Sequence, residues 1–307
     1  MVTKIQMMSN KKYNIIFDTD IGDDIDDTWA LSYILSKPEF NVLLIAVTSG
    51  DTDYKAKLVA TILHNLGRTD IPIVKGESNL NRASYPQLRY VKDDIVKHAT
   101  IRDNYDEDMS NILNSYNNIN LFLLGPCNDF YRFYRKNAKL CNRRIKAFMM
   151  GGAVHKGYIN ESKPAAEYNV LMSIEATNYL LSSKLDFTLL PLDVCRDIIF
   201  DGSFYQAILN SESIYAKVIM DNYVIWQQDY QGGAIKYDPN LSSSILYDLI
   251  IPFYVLFPEA YQMEVMPLQV QKDGSIKVDH QNSLVLFASK TIDTHLQYED
   301  FLGSITK

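Results

Sequence analysis

Cysteine is scarce in this 307-residue chain, and the three present, Cys127, Cys141 and Cys195, form no C-x-x-C pair. The odd count and wide spacing suggest neither a disulfide framework nor a zinc site, so reduced core thiols are expected. The five histidines likewise show no metal-ligand spacing; His98 and His155 are the two worth locating relative to a site. Positive charge is also in short supply. Lys and Arg number 30 against 37 Asp and Glu, so 30 − 37 = −7, which argues against a nucleic-acid partner. The opening MVTKIQMMSNKKY has no apolar signal region. No run approaches the roughly 18 apolar residues of a membrane span, so no membrane partner and a cytoplasmic protein are expected. Repeats and low-complexity linkers are absent too, which predicts a single domain over 1–307 with a disordered tail at 1–11.

What is present is a core. Hydrophobic residues make up 47% of the chain, and they fall in short strand-like runs that alternate with helix-like segments. Tyr13–Asp18 reads as a strand and Asp26–Ser36 as a helix with Trp29, Ala30, Tyr33 and Ile34 at helical spacing. Val42–Thr48 reads as a strand and Lys55–Leu66 as a helix stopped by Gly67. Further strands are expected at Ile71–Val74, Leu121–Leu124, Ile145–Met150 and Phe187–Pro191, with two more runs near the end at Ser275–Val278 and Ser283–Ala288 before a short amphipathic helix. Such alternation predicts an α/β fold: a mainly parallel, mixed, Rossmann-like sheet with helices on both faces. The stretch from Gly76 to Ser115 is polar with little apolar period, and reads as a loop over the site or a solvated excursion.

Ligands of such sheets collect at the carboxyl ends of strands, and the polar oddities sit there. The largest is NIIFDTDIGDDIDD, which places Asp18, Asp20, Asp23, Asp24, Asp26 and Asp27 within ten positions after a buried run. Burying even one unpaired carboxylate costs several kcal/mol. Helix capping by Asp23 or Asp24 accounts for one or two of the six. An EF-hand fails, because counting from Asp18 puts Gly22 at position 5 and Trp29 at position 12. An aspartyl phosphotransferase would use Asp18 and Asp20 as nucleophile and acid, but leaves the later aspartates unexplained. A hard-cation site uses them: Asp20 at the strand end and Asp27 at the helix start can converge on one ion, with a neighbouring carboxylate placed to deprotonate a water.

The segment DTDIGDDIDDTWAL resembles the amino-terminal fingerprint of the nucleoside hydrolase family, inosine–uridine-preferring type, in the branch with two extra residues before the paired aspartates. Other segments are similar to family blocks in the same order: VTSGDTDYKAKLVATILHNLGRTDIPIVKG, LGPCND, MMGGAV, KPAAEYNVLMSIEATNYLL and LYDLIIPFYVLFPEAY. The resemblance spans about the whole chain. It implies hydrolysis of the N-glycosidic bond of ribonucleosides, a role in nucleoside salvage and a homodimer or homotetramer. It also implies a tightly held Ca²⁺, ahead of Mg²⁺. Carried over, Asp20, Asp27, the Leu124 carbonyl and Asp248 would hold the metal. Asp26 would be the base, or Asp24 because of the insertion. Glu167 and Asn169 would grip the ribose, with Asp51 and Asn160 as further substrate contacts.

Three positions depart from the family pattern. Tyr247 stands where many relatives have a histidine able to protonate a leaving purine, and a phenol is a weak acid near neutrality. Glu161 falls where the family often has a ribose-binding Asn, with Asn160 beside it, and Asp51 replaces an Asn. Trp226, in the aromatic stretch Tyr223–Tyr230, could stack on a base or simply pack its helix. A ribonucleoside-binding relative without turnover, or a hydrolase of another N-riboside, remain the alternative readings.

Overall fold

A computed structural model of the protein describes residues 11–230 and 237–307. The tail expected over 1–11 lies, apart from Lys11, outside the described residues. The chain enters at β1 (Tyr13–Thr19), turns into α1 (Asp26–Ser36) and returns along β2 (Phe40–Val47). It continues through α2 (Thr52–Asn65), β3 (Ile73–Lys75), α3 (Asp93–Val96), β4 (Ile101–Arg102) and α4 (Tyr105–Ser115). The next units are β5 (Ile119–Leu123), α5 (Asn128–Arg144), β6 (Ile145–Met150), α6 (Tyr168–Leu171), α7 (Ile174–Leu181) and β7 (Asp186–Leu190). After α8 (Leu192–Cys195), α9 (Gly202–Leu209), α10 (Ile214–Asp229) and α11 (Ile250–Leu256) come β8 (Tyr261–Val270), β9 (Ile276–Val278), β10 (Leu284–Thr291) and α12 (His295–Ile305).

The strands lie in the order β4-β3-β2-β1-β5-β6-β7-β10-β8-β9. All pairings from β4 to β10 are parallel, and only β8 runs antiparallel to its neighbours β10 and β9. This is the mixed, mainly parallel sheet that the alternation predicts. Ile15, Ile16 and Phe17 of β1 are completely buried, as a strand covered on both faces must be. Ile15 and Phe17 join one core with Trp29, Tyr33 and Phe253, while Ile16 joins a second with Tyr105, Met109 and Phe133. Helix α1 is buried on every side, its polar Asp26, Asp27, Thr28 and Ser32 included: Trp29 packs on Phe200, Tyr223 and Phe301 with ring centroids about 6 Å away.

Two segments differ from expectation. Residues 76–115 are not one open loop, because α4 buries Tyr105, Met109 and Leu113 at four-residue intervals and Gln87 is fully enclosed. Strand β8 was not read from sequence, since YQMEVMPLQV carries Glu264 and Pro267 and lacks clean alternation. The topology itself positions the site. β2, β3 and β4 step away from β1 on one side, and β5 then takes the other, so a crevice opens at the carboxyl ends of β1 and β5.

Candidate active site

That crevice is a cavity of about 700 Å³. Asp20, Asp24, Asp26, Asp27, Leu124, Glu167, Asn169, Trp226, Tyr247 and Asp248 all line it, which gathers ten of the twelve residues proposed from sequence. The turn after β1 depends on Gly22, whose φ of +105° is open to glycine. Across the crevice, a Cβ at Gly125 would lie 2.9 Å from the Asp20 backbone nitrogen, so glycine there lets β5 close against Asp20.

Asp26 and Asp27 form the first turn of α1, where the positive end of the helix dipole favours negative charge. Asp248 sits in a one-turn 3₁₀ segment, Tyr247–Leu249, and its amide donates to Asp26 Oδ2 at 3.3 Å. One oxygen from each of Asp26, Asp27 and Asp248 lies within 4.8 Å of the others. The tight group thus contains Asp26, expected as base, and omits Asp20, expected as a ligand; Asp20 lines the same cavity and is close enough for Asp27 to repel its charge. Thr19 donates its hydroxyl to Asp27.

Burial is the main cause that raises the carboxyls of Asp20, Asp26 and Asp248 well above the usual carboxylate range, and mutual repulsion adds to it. Asp24 and Asp27 are held at about 6, again chiefly by burial. A set of hard oxygen donors that repel one another in a desolvated pocket fits a divalent cation such as Ca²⁺ or Mg²⁺ and no soft metal.

Asp23 does not cap α1 but lines the cavity, partly exposed. It pairs at 2.7 Å with Lys55, whose side chain is wholly buried and whose ammonium also donates to the Asp20 carbonyl. Nor does Asp24 cap the helix: the cap residue is Ile25, and Asp24 accepts from its amide at 2.7 Å. Asp18 lies outside the cavity wall. Its Oδ2 accepts from Tyr105 at 2.8 Å, Oδ1 has no partner among the described residues, and burial plus the nearby Asp129 raise its carboxyl to about 8. This placement disfavours the phosphotransferase reading, which needs Asp18 exposed to substrate.

Glu167 and Asn169 do not share an extended segment, as α6 begins between them at Tyr168. Glu167 caps that turn, accepting from the amides of Gly152 (2.7 Å), Asn169 (2.8 Å) and Val170 (3.1 Å). Asn169 donates to the Leu124 carbonyl at 2.7 Å and to the Met150 carbonyl at 3.1 Å, which ties this side of the cavity to the ends of β5 and β6. Trp226 packs its helix and also faces the cavity. It stacks on Tyr230 at 4.6 Å and donates Nε1–H to the Asp23 carbonyl at 3.2 Å. Tyr247 meets Tyr158 edge to face at 6.3 Å, and burial pushes its phenol far up.

Two proposed contacts lie outside the cavity. Asp51 caps α2, accepting from the amides of Asp53 and Tyr54 at 3.1 Å, while Tyr85 donates to its other oxygen at 3.0 Å. Asn160 is exposed at a φ of +70°, and its neighbour Glu161 lines the cavity instead. His98 and His155 are not in the wall; His155 lies 3.6 Å from Glu264. Sequence reading missed Tyr158, Tyr168, Tyr230, Tyr237 and Arg82, all lining. No short motif marks them, although Tyr230 lay in the aromatic run noted around Trp226. Arg82 also lines a second cavity of about 280 Å³, in which Arg132 is paired with Glu77 and Asp129. The three cysteines are buried and unpaired.

The profile of the family described as inosine-uridine preferring nucleoside hydrolase matches residues 15–298. The chain belongs to this family. It is 24% identical over 243 residues to the pyrimidine-specific ribonucleoside hydrolase RihA of Shigella boydii, covering 72% of this chain and 74% of that protein. Among solved structures, the plant nucleoside hydrolase PpNRh1 superposes with a TM-score of 0.78 at 18% identity, covering 96% of this chain and 99% of that one. The purine-preferring ribonucleoside hydrolase of Gardnerella vaginalis gives 0.75 at 19%, covering 95% and 98%. These two share the fold described above. No helix among the described residues is long and apolar enough to cross a membrane.

Proposed function

We propose that this nucleoside hydrolase family member cleaves the N-glycosidic bond of ribonucleosides, releasing base and ribose. The observation that carries the reading is the convergence of Asp26, Asp27 and Asp248 in a nucleoside-sized cavity at the β1/β5 switch point. Asp20, Asp27, Asp248 and the Leu124 carbonyl would hold the cation, and such an irregular oxygen set suits Ca²⁺ better than the strictly octahedral Mg²⁺. When bound, the cation makes a water easier to ionise and anchors the ribose hydroxyls.

Asp26 accepts the proton of the attacking water. It belongs to the tight carboxylate group, whereas Asp24 stands outside that group and is the second choice. Breaking the C1′–N bond passes through an oxocarbenium-like sugar, whose positive charge the surrounding carboxylates favour. Glu167 and Asn169, fixed by backbone bonds on both sides, orient the ribose. Asp51, which caps α2, is assigned no direct substrate contact in this reading. The relatives differ in base preference by name, one pyrimidine-specific and one purine-preferring, so family membership leaves the base open. A cytoplasmic homodimer or homotetramer serving nucleoside salvage completes the proposal; light scattering and cell fractionation check the first two.

The test is ribose release from a panel of ribonucleosides, with and without chelator, for wild type and Asp27→Ala. Metal-replete wild type should release ribose and lose that activity to chelator. Silence on every nucleoside would sink the hydrolase reading, and Ca²⁺ binding by calorimetry checks the ion separately.

A further inference from the structure

We propose, building on the hydrolase reading, that the leaving-group wall of the cavity selects cationic N-ribosides, in which the aromatic ring bonded to C1′ carries a formal positive charge. The wall is aromatic: Trp226, Tyr158, Tyr230, Tyr237 and Tyr247 all line it, and Trp226 is stacked on Tyr223 at 5.9 Å as well as on Tyr230. Trp226 and Tyr230 stack at 4.6 Å with planes 21° apart, Tyr158 and Tyr247 meet edge to face, and Tyr237 lies beside them. The wall is held rigid: Trp226 donates to the Asp23 carbonyl, and the Tyr158 hydroxyl accepts from the Tyr168 amide at 3.0 Å. Electron-rich faces attract a cation, more strongly when water is excluded. The Asp24 carboxylate lines the same cavity and acts electrostatically on Tyr230, Tyr237 and Tyr247. The side-chain cation among the described lining residues is Arg82, whose guanidinium lies against Met172 instead.

The bond-breaking chemistry points the same way. In a neutral nucleoside the C1′–N electron pair leaves on the base nitrogen, which becomes an anion and needs a proton as it departs. The described lining residues include no imidazole, ammonium or thiol, and phenols ordinarily ionise only near pH 10. In a cationic riboside the same pair neutralises the ring, so the base leaves uncharged without a proton. Water adds its oxygen to C1′ and passes one proton to Asp26 and then to solvent. The products are ribose, the neutral base and that proton, so charge and atoms balance.

The experiment compares substrates matched in shape and differing in charge: nicotinamide riboside against its neutral dihydropyridine form, and 7-methylguanosine against guanosine. In the metal-replete full chain, kcat/KM should favour each cationic member by at least about 100-fold, the scale of one missing general acid. Because cationic ribosides are also intrinsically more labile, the wall is read separately in binding. The cation 1-methylnicotinamide should inhibit at least about 10-fold more tightly than neutral nicotinamide, and Tyr230→Leu or Tyr237→Leu should shrink that difference. Cleavage of neutral members at rates equal to the cationic ones overturns this proposal and leaves the hydrolase reading standing. Equal inhibition by the two nicotinamides on wild type overturns it as well. Ribose from none of the four overturns this proposal, while the hydrolase reading then falls or stands on the full ribonucleoside panel.

Discussion

Two sets of buried carboxylates flank β1, and their surroundings treat them in opposite ways. On the α4/α5 side, Asp129 is well supplied with donors and Asp18 has one, its Oδ1 having no partner among the described residues. Tyr105 donates to Asp18, while Thr48 at 2.7 Å, the Glu77 amide at 3.0 Å and Arg132 serve Asp129. On the α1 side, Asp20, Asp26, Asp27 and Asp248 have mainly one another, with single bonds from Thr19 and the Asp248 amide. Carboxylates that serve architecture bring their donors from the same chain. Those that converge with oxygens unspent are arranged for a ligand, because Lys55 and the start of α1 offset their desolvation only in part. Asp23 and Lys55 mark the border, as a pair in which Asp23 lines the cavity and Lys55 is buried behind it.

The sharpest way to break the comparison is to remove a proton acceptor from the cavity set. Asp26→Asn is expected to lower kcat by about 10²- to 10⁴-fold, the range of general base catalysis, while Asp24→Asn stays within about 10-fold of wild type. Steady-state ribose release reads both, and the reverse order would move the base to Asp24. The border pair comes next. Lys55→Met leaves the partly exposed Asp23 unpaired in the cavity wall and should destabilise the fold by at most about 3 kcal/mol in urea unfolding, the lower end of the range for breaking a buried pair. A loss near zero would mean that Asp23 reaches water without Lys55.

The architectural set gives the smallest effect. The Asp18 carboxyl titrates at about 8 in the folded chain against 3.8 unexposed to the fold, so the folded state holds that proton more tightly. The stabilisation is complete below pH 3.8 and is lost as pH rises through about 8. Asp18→Asn keeps an acceptor for Tyr105 and no longer titrates. Thermal unfolding in chelator should show a flatter stability profile for the variant between those limits, and a gain of a few kcal/mol at most at the alkaline end. Parallel profiles for the two proteins would remove Asp18 as the titrating group.

Much of the frame was readable because local patterns and burial agree. The bounds of α1 and β6 follow the apolar runs residue for residue, and Gly67 ends α2 with a left-handed φ of +68°. Reading failed where the local signal was weak. The Tyr105, Met109, Leu113 spacing of α4 is diluted by acids and asparagines, and Pro267 disguises β8. The clustering of aspartates and the isolation of Asp248 in an apolar run were visible as anomalies, and anomalies of charge in a core point to function.

The sequence by itself determined the alternation of strands and helices, the family, and the short list of carboxylates, since each depends on residue type and spacing along the chain. Only the tertiary structure decided which carboxylates meet. Asp26 is 222 positions from Asp248 and hydrogen-bonds to it, whereas Asp18, two positions before Asp20, is claimed by Tyr105. It also drew Tyr158, Tyr230, Tyr237 and Tyr247 from separate segments into one wall. Long-range packing sets which donor reaches each acid, and so which aspartates remain free to bind and react.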